Sequence, residues 1–174
     1  YDLILNNNSC LGILLKYKID NEDEFYDTKI LRENVSDKKN TIPDNHSISF
    51  IGSGNYARQT LIPAFNKSNI LLNYITSLGG LSSTISGQKY GFLKSTTDVE
   101  LVLNDPSTQA VVISTRHDSH CDLIIKSLER GKDVYVEKPM CINLNELEKI
   151  KLCFRNLEAD GKSPVLMVGF NRRF

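Results

Sequence analysis

The 174-residue sequence predicts an α/β fold, a doubly wound parallel sheet with an N-terminal extension, and three observations carry that prediction. Short apolar runs recur from Ile48 onward, helical patterns lie between them, and a glycine-containing turn joins the first run to the first helix. The runs are apolar nearly throughout rather than alternating, which is the pattern of parallel strands covered on both faces.

The elements follow in chain order. "SCLGILLKY", residues 9–17, reads as one strand with no visible partner, and the polar, acidic-then-basic stretch after it reads as a linker reaching residue 46. Strands are then expected at 48–51, 71–76, 110–114, 133–136 and 164–169, with a weaker one near 91–94. In the first helix, Pro63 within "ARQTLIPAF" should bend the helix rather than end it, because apolar Ala64 and Phe65 continue beyond it. In "HDSHCDLIIKSLERGK", Cys121, Ile124, Ile125 and Leu128 share one face and Gly131 supplies the left-handed stop. In the last helix Asn143 caps, Glu146 completes a capping box, and Leu147, Ile150, Phe154 and Leu157 form the buried stripe.

Composition removes several classes of function. Lys plus Arg and Asp plus Glu each number 21, so the net charge is zero and no broad basic surface exists to gather a nucleic acid. The longest apolar runs, such as "LGILL" and "AVVI", fall far short of the roughly 20 residues that span a bilayer, so no membrane partner is expected. Cys10, Cys121, Cys141 and Cys153 form no CxxC pair and no secretory signal precedes them, which points to reduced thiols and a cytoplasmic location.

Three clusters carry chemistry. Gly52, Gly54 and Ala57 give GxGxxA at the end of the first strand, with Asn55 and Tyr56 in the same turn. The first glycine allows the tight turn, the second lets backbone amides approach a pyrophosphate, and the small third residue lets helix and strand pack. A helix N-terminus facing that anion adds unpaired N–H groups and a favourable dipole. The alternative is an ordinary strand-to-helix turn that happens to need glycine. The second cluster, "STRHDSH", places Ser114, Thr115, Arg116, His117 and His120 at the carboxyl end of a central strand, where open α/β sheets bind ligands. His117, His120 and Cys121 also suggest a zinc set, but no fourth ligand is evident, so no metal is expected. Each histidine alone reads either as a cofactor contact or as part of a solvated helix start. The third cluster, Glu137, Lys138 and Pro139, follows the fifth strand, where a lysine meets the reacting end of a bound nicotinamide. No carboxylate occurs from Ile75 to Gln88, while Ser77 offers a hydroxyl at the second strand's tip and Arg58 opens the helix beside the turn. The cofactor is therefore read as NAD or NADP, with a slight lean to NADP.

Together "FIGSGNYA", "VVISTRHDSHCDLIIKSLERGKDVYVEKPM" and "LMVGFNRRF" resemble the glucose-fructose oxidoreductase, inositol dehydrogenase and MocA family of NAD(P)-dependent oxidoreductases, over about residues 47–174. The resemblance implies a Rossmann domain at 47–174, followed by an α/β domain, absent from this chain, that reads a small-molecule substrate and usually makes the homo-oligomer contact. Lys138 matches the family's active-site lysine, Glu137 the acid beside the nicotinamide ribose, and Lys138–Pro139 the family's cis peptide. The histidine and aspartate that handle the substrate proton lie in the second domain, so the chain alone is expected to be inactive. Where the family often has Thr-Pro-Asn, this chain has Thr115, Arg116 and His117. "LGILLKY" and "TRH" also resemble two-domain bacterial oxidoreductases with a preceding zinc-type alcohol-dehydrogenase-like region, which makes 1–46 a preceding domain's tail plus linker. The implied function is hydride transfer at a hydroxyl-bearing carbon of a sugar, cyclitol or nucleotide-sugar. A non-catalytic nucleotide sensor or structural module is the alternative, and Lys138, for which a sensor has no use, favours the enzyme.

Overall fold

The computed structural model describes residues 28–31, 47–68 and 70–170. Six parallel strands, β2 (Ser47–Ile51), β3 (Leu71–Thr76), β4 (Lys94–Thr96), β5 (Ala110–Ile113), β6 (Asp133–Glu137) and β7 (Leu166–Gly169), and one antiparallel edge strand, β1 (Thr28–Ile30), form a single sheet of order β1-β4-β3-β2-β5-β6-β7. The chain enters at β2, winds outward through β3 to β4, then crosses back to β5 and winds outward the other way. The reversal between β2 and β5 opens a crevice at their carboxyl ends, the place where such sheets bind ligands.

Helices cover both faces. After β2 the backbone is helical from Asn55, widens to a π turn over Ala57–Leu61 and continues as α1 (Ile62–Asn66). With Phe92, this helix packs Ala57, Leu61 and Ile62 on Phe50, Leu72, Ile75 and Val112. Phe50 is fully buried between Phe65 and Phe92, each meeting it edge-on at ring distances of 5.5 and 5.6 Å. On the other face α3 (Val99–Asn104), α4 (His120–Glu129) and α5 (Leu144–Ala159) bring Leu103, Ile124, Leu128, Ile150 and Leu157 onto Ile51, Val111, Ile113, Val134 and Val136. Neighbouring strand residues thus point into opposite cores, which is why β5 is apolar throughout; each such buried apolar side chain contributes about 1.5–3 kcal/mol.

The helix does run on through Pro63, whose missing N–H falls just past the wider π turn. The cap on α5 forms as expected, with the Glu146 N–H donating to Asn143 Oδ1 at 2.9 Å, but the returning Glu146 carboxylate accepts from the Ile142 N–H at 2.8 Å. Four elements differ from the sequence reading. The weak strand lies at Lys94–Thr96, because Gly91 closes α2 (Leu81–Tyr90) just before it. Helix α2 itself has no apolar stripe: it buries Ser83, Ser86 and Gly87, so its periodicity is silent. Helix α3 is too short for periodicity and rests on the Asp98 cap, whose Oδ1 accepts from the Glu100 N–H at 2.8 Å. Within the stretch read as linker, Thr28–Ile30 pairs with β4 as an edge strand. The strand read at 9–17 lies outside the described residues. Among the described residues no helix is long and apolar enough to cross a membrane.

Candidate cofactor site

The two glycines of the turn have different jobs. Gly52 has φ +105°, and a Cβ there would sit 2.7 Å from the Ser114 carbonyl oxygen and 2.8 Å from its carbon. The turn is pressed against the end of β5, held there by the Ser114 N–H to Ile51 O (2.9 Å) and the Ser114 hydroxyl to Gly52 O (3.0 Å), and tied to the end of β3 by the Gly52 N–H to Thr76 O (3.2 Å). Gly54 meets no such wall: a Cβ there would have nothing within 4 Å. Protein packing gives no reason for its bareness, and the room it leaves is what an anion's close approach to the backbone requires. Ala57, 1% exposed, is the small residue that lets the helix lie on Phe50. The turn therefore fits a dinucleotide phosphate.

A cleft of about 300 Å³ opens beside it, lined by residues 54–57 of the turn, by Ser114, Thr115 and His117 after β5, and by Glu137 and Lys138 at the end of β6. All of these are on the sequence-derived list, and the sheet's reversal brings their three segments together. Gly52, Ser77, Arg116, His120 and Pro139 do not line it. The Ser77 hydroxyl donates to Ser83 Oγ at 3.0 Å and accepts from the Ser83 N–H at 3.3 Å, so it anchors the start of α2. Arg116 is exposed, and its carbonyl accepts from the Ser119 hydroxyl at 2.8 Å.

His120 departs most from its sequence reading. It is fully buried, with Nδ1 2.8 Å from the Pro139 carbonyl and Nε2 3.2 Å from that of Thr115. At the inward-facing start of α4 it ties the loop after β5 to the loop after β6 from behind. Both partners are acceptors, so a neutral ring donates to one of them at a time. His117 reaches the cleft while His120 does not, their rings meeting edge-on at 5.6 Å, and among the described residues no three His, Cys, Asp or Glu side chains come together as a metal set. Arg58 lies beside the turn, its N–H donating to Gly54 O at 3.0 Å. Its Nη2 donates to Asn55 Oδ1 at 2.5 Å, and it lines a separate cleft of about 480 Å³ with Gln59, Ile85, Lys89 and Tyr90.

The end of β6 supplies the charged pair. Glu137 is only 8% exposed, and Tyr135 donates its hydroxyl to Glu137 Oε1 at 3.1 Å. Burial first, then the neighbouring carboxylate, pushes the Tyr135 phenol up to about 12, so it stays a donor. Tyr135 is absent from the sequence-derived list; the signal available for it was the two-residue spacing that puts it on the face of Glu137. Lys138 is exposed at the cleft, and the Lys138–Pro139 bond is cis.

Comparison with known proteins agrees with this geometry. A scyllo-inositol 2-dehydrogenase (NAD(+)) of Bacillus subtilis is 38% identical over 87 residues, 50% of this chain and 24% of that enzyme. A myo-inositol 2-dehydrogenase of Thermotoga maritima is 31% identical over 88 residues, 50% of this chain and 25% of that enzyme. The chain thus spans about a quarter of the length of these relatives. Among solved structures, a 3-ketoreductase from Actinomadura kijaniata in complex with TDP-benzene and NADP superposes with TM-score 0.63 at 20% identity, covering 72% of this chain and 38% of that one, a likeness of fold. Residues 46–169 match the profile of the oxidoreductase family with an NAD-binding Rossmann fold, and the chain belongs to that family, GFO/IDH/MocA.

Proposed function

We propose that this chain is the cofactor-binding part of an NAD(P)-dependent oxidoreductase that transfers a hydride to or from a hydroxyl-bearing carbon of a sugar, cyclitol or nucleotide-sugar. The observation that carries this reading is the meeting, in one cleft, of the bare Gly54 turn with Glu137 and Lys138. The inositol dehydrogenases among the relatives support the substrate class.

In this reading the backbone at Gly54 and the helix start at Asn55 hold the pyrophosphate. Ser114, Thr115 and His117 form the wall between the phosphate and nicotinamide ends. Glu137 accepts a hydrogen bond from a ribose hydroxyl, and the Lys138 ammonium donates to the reacting substrate oxygen, holding charge that develops there. When bound, the nicotinamide supplies or accepts the hydride at its C4 carbon. The short share of the relatives' length supports placing the substrate pocket, the proton-handling residues and a homo-oligomer contact in a further domain. The balanced charge of the sequence and, among the described residues, the unpaired thiols of Cys121, Cys141 and Cys153 support a cytoplasmic protein without nucleic-acid or membrane partners.

The test is Lys138→Ala in the full-length protein. Its kcat for polyol oxidation should fall by roughly 10²-fold or more, with little change in Tm, because the side chain is exposed at a strand end. The 174-residue chain alone should bind NADH yet turn nothing over. Wild-type kcat in the variant would return Lys138 to a surface turn, and steady turnover by the isolated chain would remove the need for a further domain.

A further inference from the structure

We propose that Tyr135 is a positioning residue for the cofactor, acting through Glu137, and that Gly169 on the neighbouring strand is bare in order to admit the pair. The proposal rests on the cofactor reading above.

Strand β6 alternates: Val134 and Val136 enter the core with α4 and α5, so Tyr135 and Glu137 share the opposite face. Glu137 reaches the cleft while almost entirely buried, and a carboxylate in that setting needs a hydrogen-bond donor. Among the described residues the donor is the Tyr135 hydroxyl, which occupies Oε1 and leaves Oε2 to accept from a ligand hydroxyl. The phenol ring is fixed from the other side by Phe65, edge-on at 5.9 Å, on the same helix that follows the glycine turn. Gly169 lies opposite Glu137 in the β6–β7 register. A Cβ at 169 would run into the Tyr135 hydroxyl and lie 2.7 Å from Glu137 Oε1 and 2.8 Å from Tyr135 Cζ, so the pair occupies the space that the glycine leaves. Three elements thus meet on one carboxylate: α1 sets the ring, the ring's hydroxyl sets Glu137, and β7 makes room.

The experiment is a double-mutant cycle in the full-length protein, with Tyr135→Phe, Glu137→Ala and the double variant titrated with NADH and NADPH by fluorescence, and melting followed in parallel. Tyr135→Phe keeps the ring against Phe65 and removes only the hydroxyl. It should weaken binding about three- to tenfold where Glu137 is present and less than about twofold where it is alanine, since the two act as one unit. Unchanged affinity in Tyr135→Phe, or the same loss in both backgrounds, overturns the proposal, as does a lower Tm with no change in affinity. Wild-type protein that binds neither cofactor overturns the cofactor reading itself and this proposal with it.

Discussion

Replacing each turn glycine by alanine should separate the fold from the site. At Gly52 the new Cβ meets main-chain atoms of Ser114 at 2.7 and 2.8 Å and of Thr115 at 3.0 Å, and φ is +105°. Backbone cannot swing aside as a flexible side chain can. The disfavoured dihedral costs roughly 1–3 kcal/mol and the collision roughly 1–2 kcal/mol, so Gly52→Ala should lose about 2–5 kcal/mol. At about 4 °C per kcal/mol, Tm falls by roughly 8–20 °C. At Gly54 the Cβ meets nothing within 4 Å and φ is not positive, so removing backbone freedom from the unfolded chain leaves stability unchanged or raises it by about 0.4–1 kcal/mol. In the proposed reading the same methyl stands where the pyrophosphate meets the backbone, and NADH should bind about tenfold or more weakly, a loss of about 1.4 kcal/mol at the least. Thermal melts and NADH fluorescence titrations of the two variants give the comparison. Wild-type NADH affinity in Gly54→Ala would refute the close-approach reading of the turn, and a wild-type Tm in Gly52→Ala would refute the collision.

Three further expectations follow from the structure. NADPH should bind at least as tightly as NADH, since no carboxylate from Ile75 to Gln88 repels a 2′-phosphate; NADH tighter by about tenfold at one salt concentration would refute this. His120→Phe should remove the donor that the Pro139 and Thr115 carbonyls share and lower stability by roughly 1–3 kcal/mol, with His120→Asn recovering part of it through a donor near the Nδ1 position, as melting curves would register. Glu100, on α3, is held below its ordinary value of 4.5 first by the hydrogen bond from Lys126 on α4 and then by Arg130. Its folded pKa is depressed, so its contribution is present above pH 4.5 and lost as pH falls through the folded value. Glu100→Gln should therefore cost at most about 1 kcal/mol at neutral pH, because the pair is exposed, and that difference from wild type should close in acid.

The parts of the molecule that the sequence makes legible are those where one residue pattern has one physical cause. Ala110–Ile113 is apolar because both its faces are covered, and its ends fall where the pattern ends. The cleft residues are legible for a similar reason: chemistry at strand ends in a doubly wound sheet has one place to converge. Helix α2 hides because hydroxyls replace hydrocarbon on its buried side: Ser83 Oγ is bonded to Gly80 O at 2.8 Å and to Ser95 Oγ at 3.0 Å, satisfying polar groups that a periodicity count scores as exposed. His120 and Tyr135 hide for another reason. Sequence spacing marks them as close to the cofactor loops, but whether a side chain points into the cleft or behind it is decided by the neighbouring loop's carbonyls and by a glycine one strand away.

The short strand β1 has a consequence for how the chain is assembled and handled. Thr28 bonds Thr96 across 68 positions, and Leu31 lies over Gly87 of α2, close enough that a methyl at 87 would strike it. The segment leaves the ribosome before any of its partners, yet its berth exists only after β3, α2 and β4 have been made. Until β1 docks there, β4 has a raw outer edge, the kind of unpaired backbone that recruits strands from other molecules. Trimming the gene at residue 46, where the family match begins, would remove that cover permanently, so such a shortened protein should aggregate more readily than the chain that keeps Thr28–Leu31.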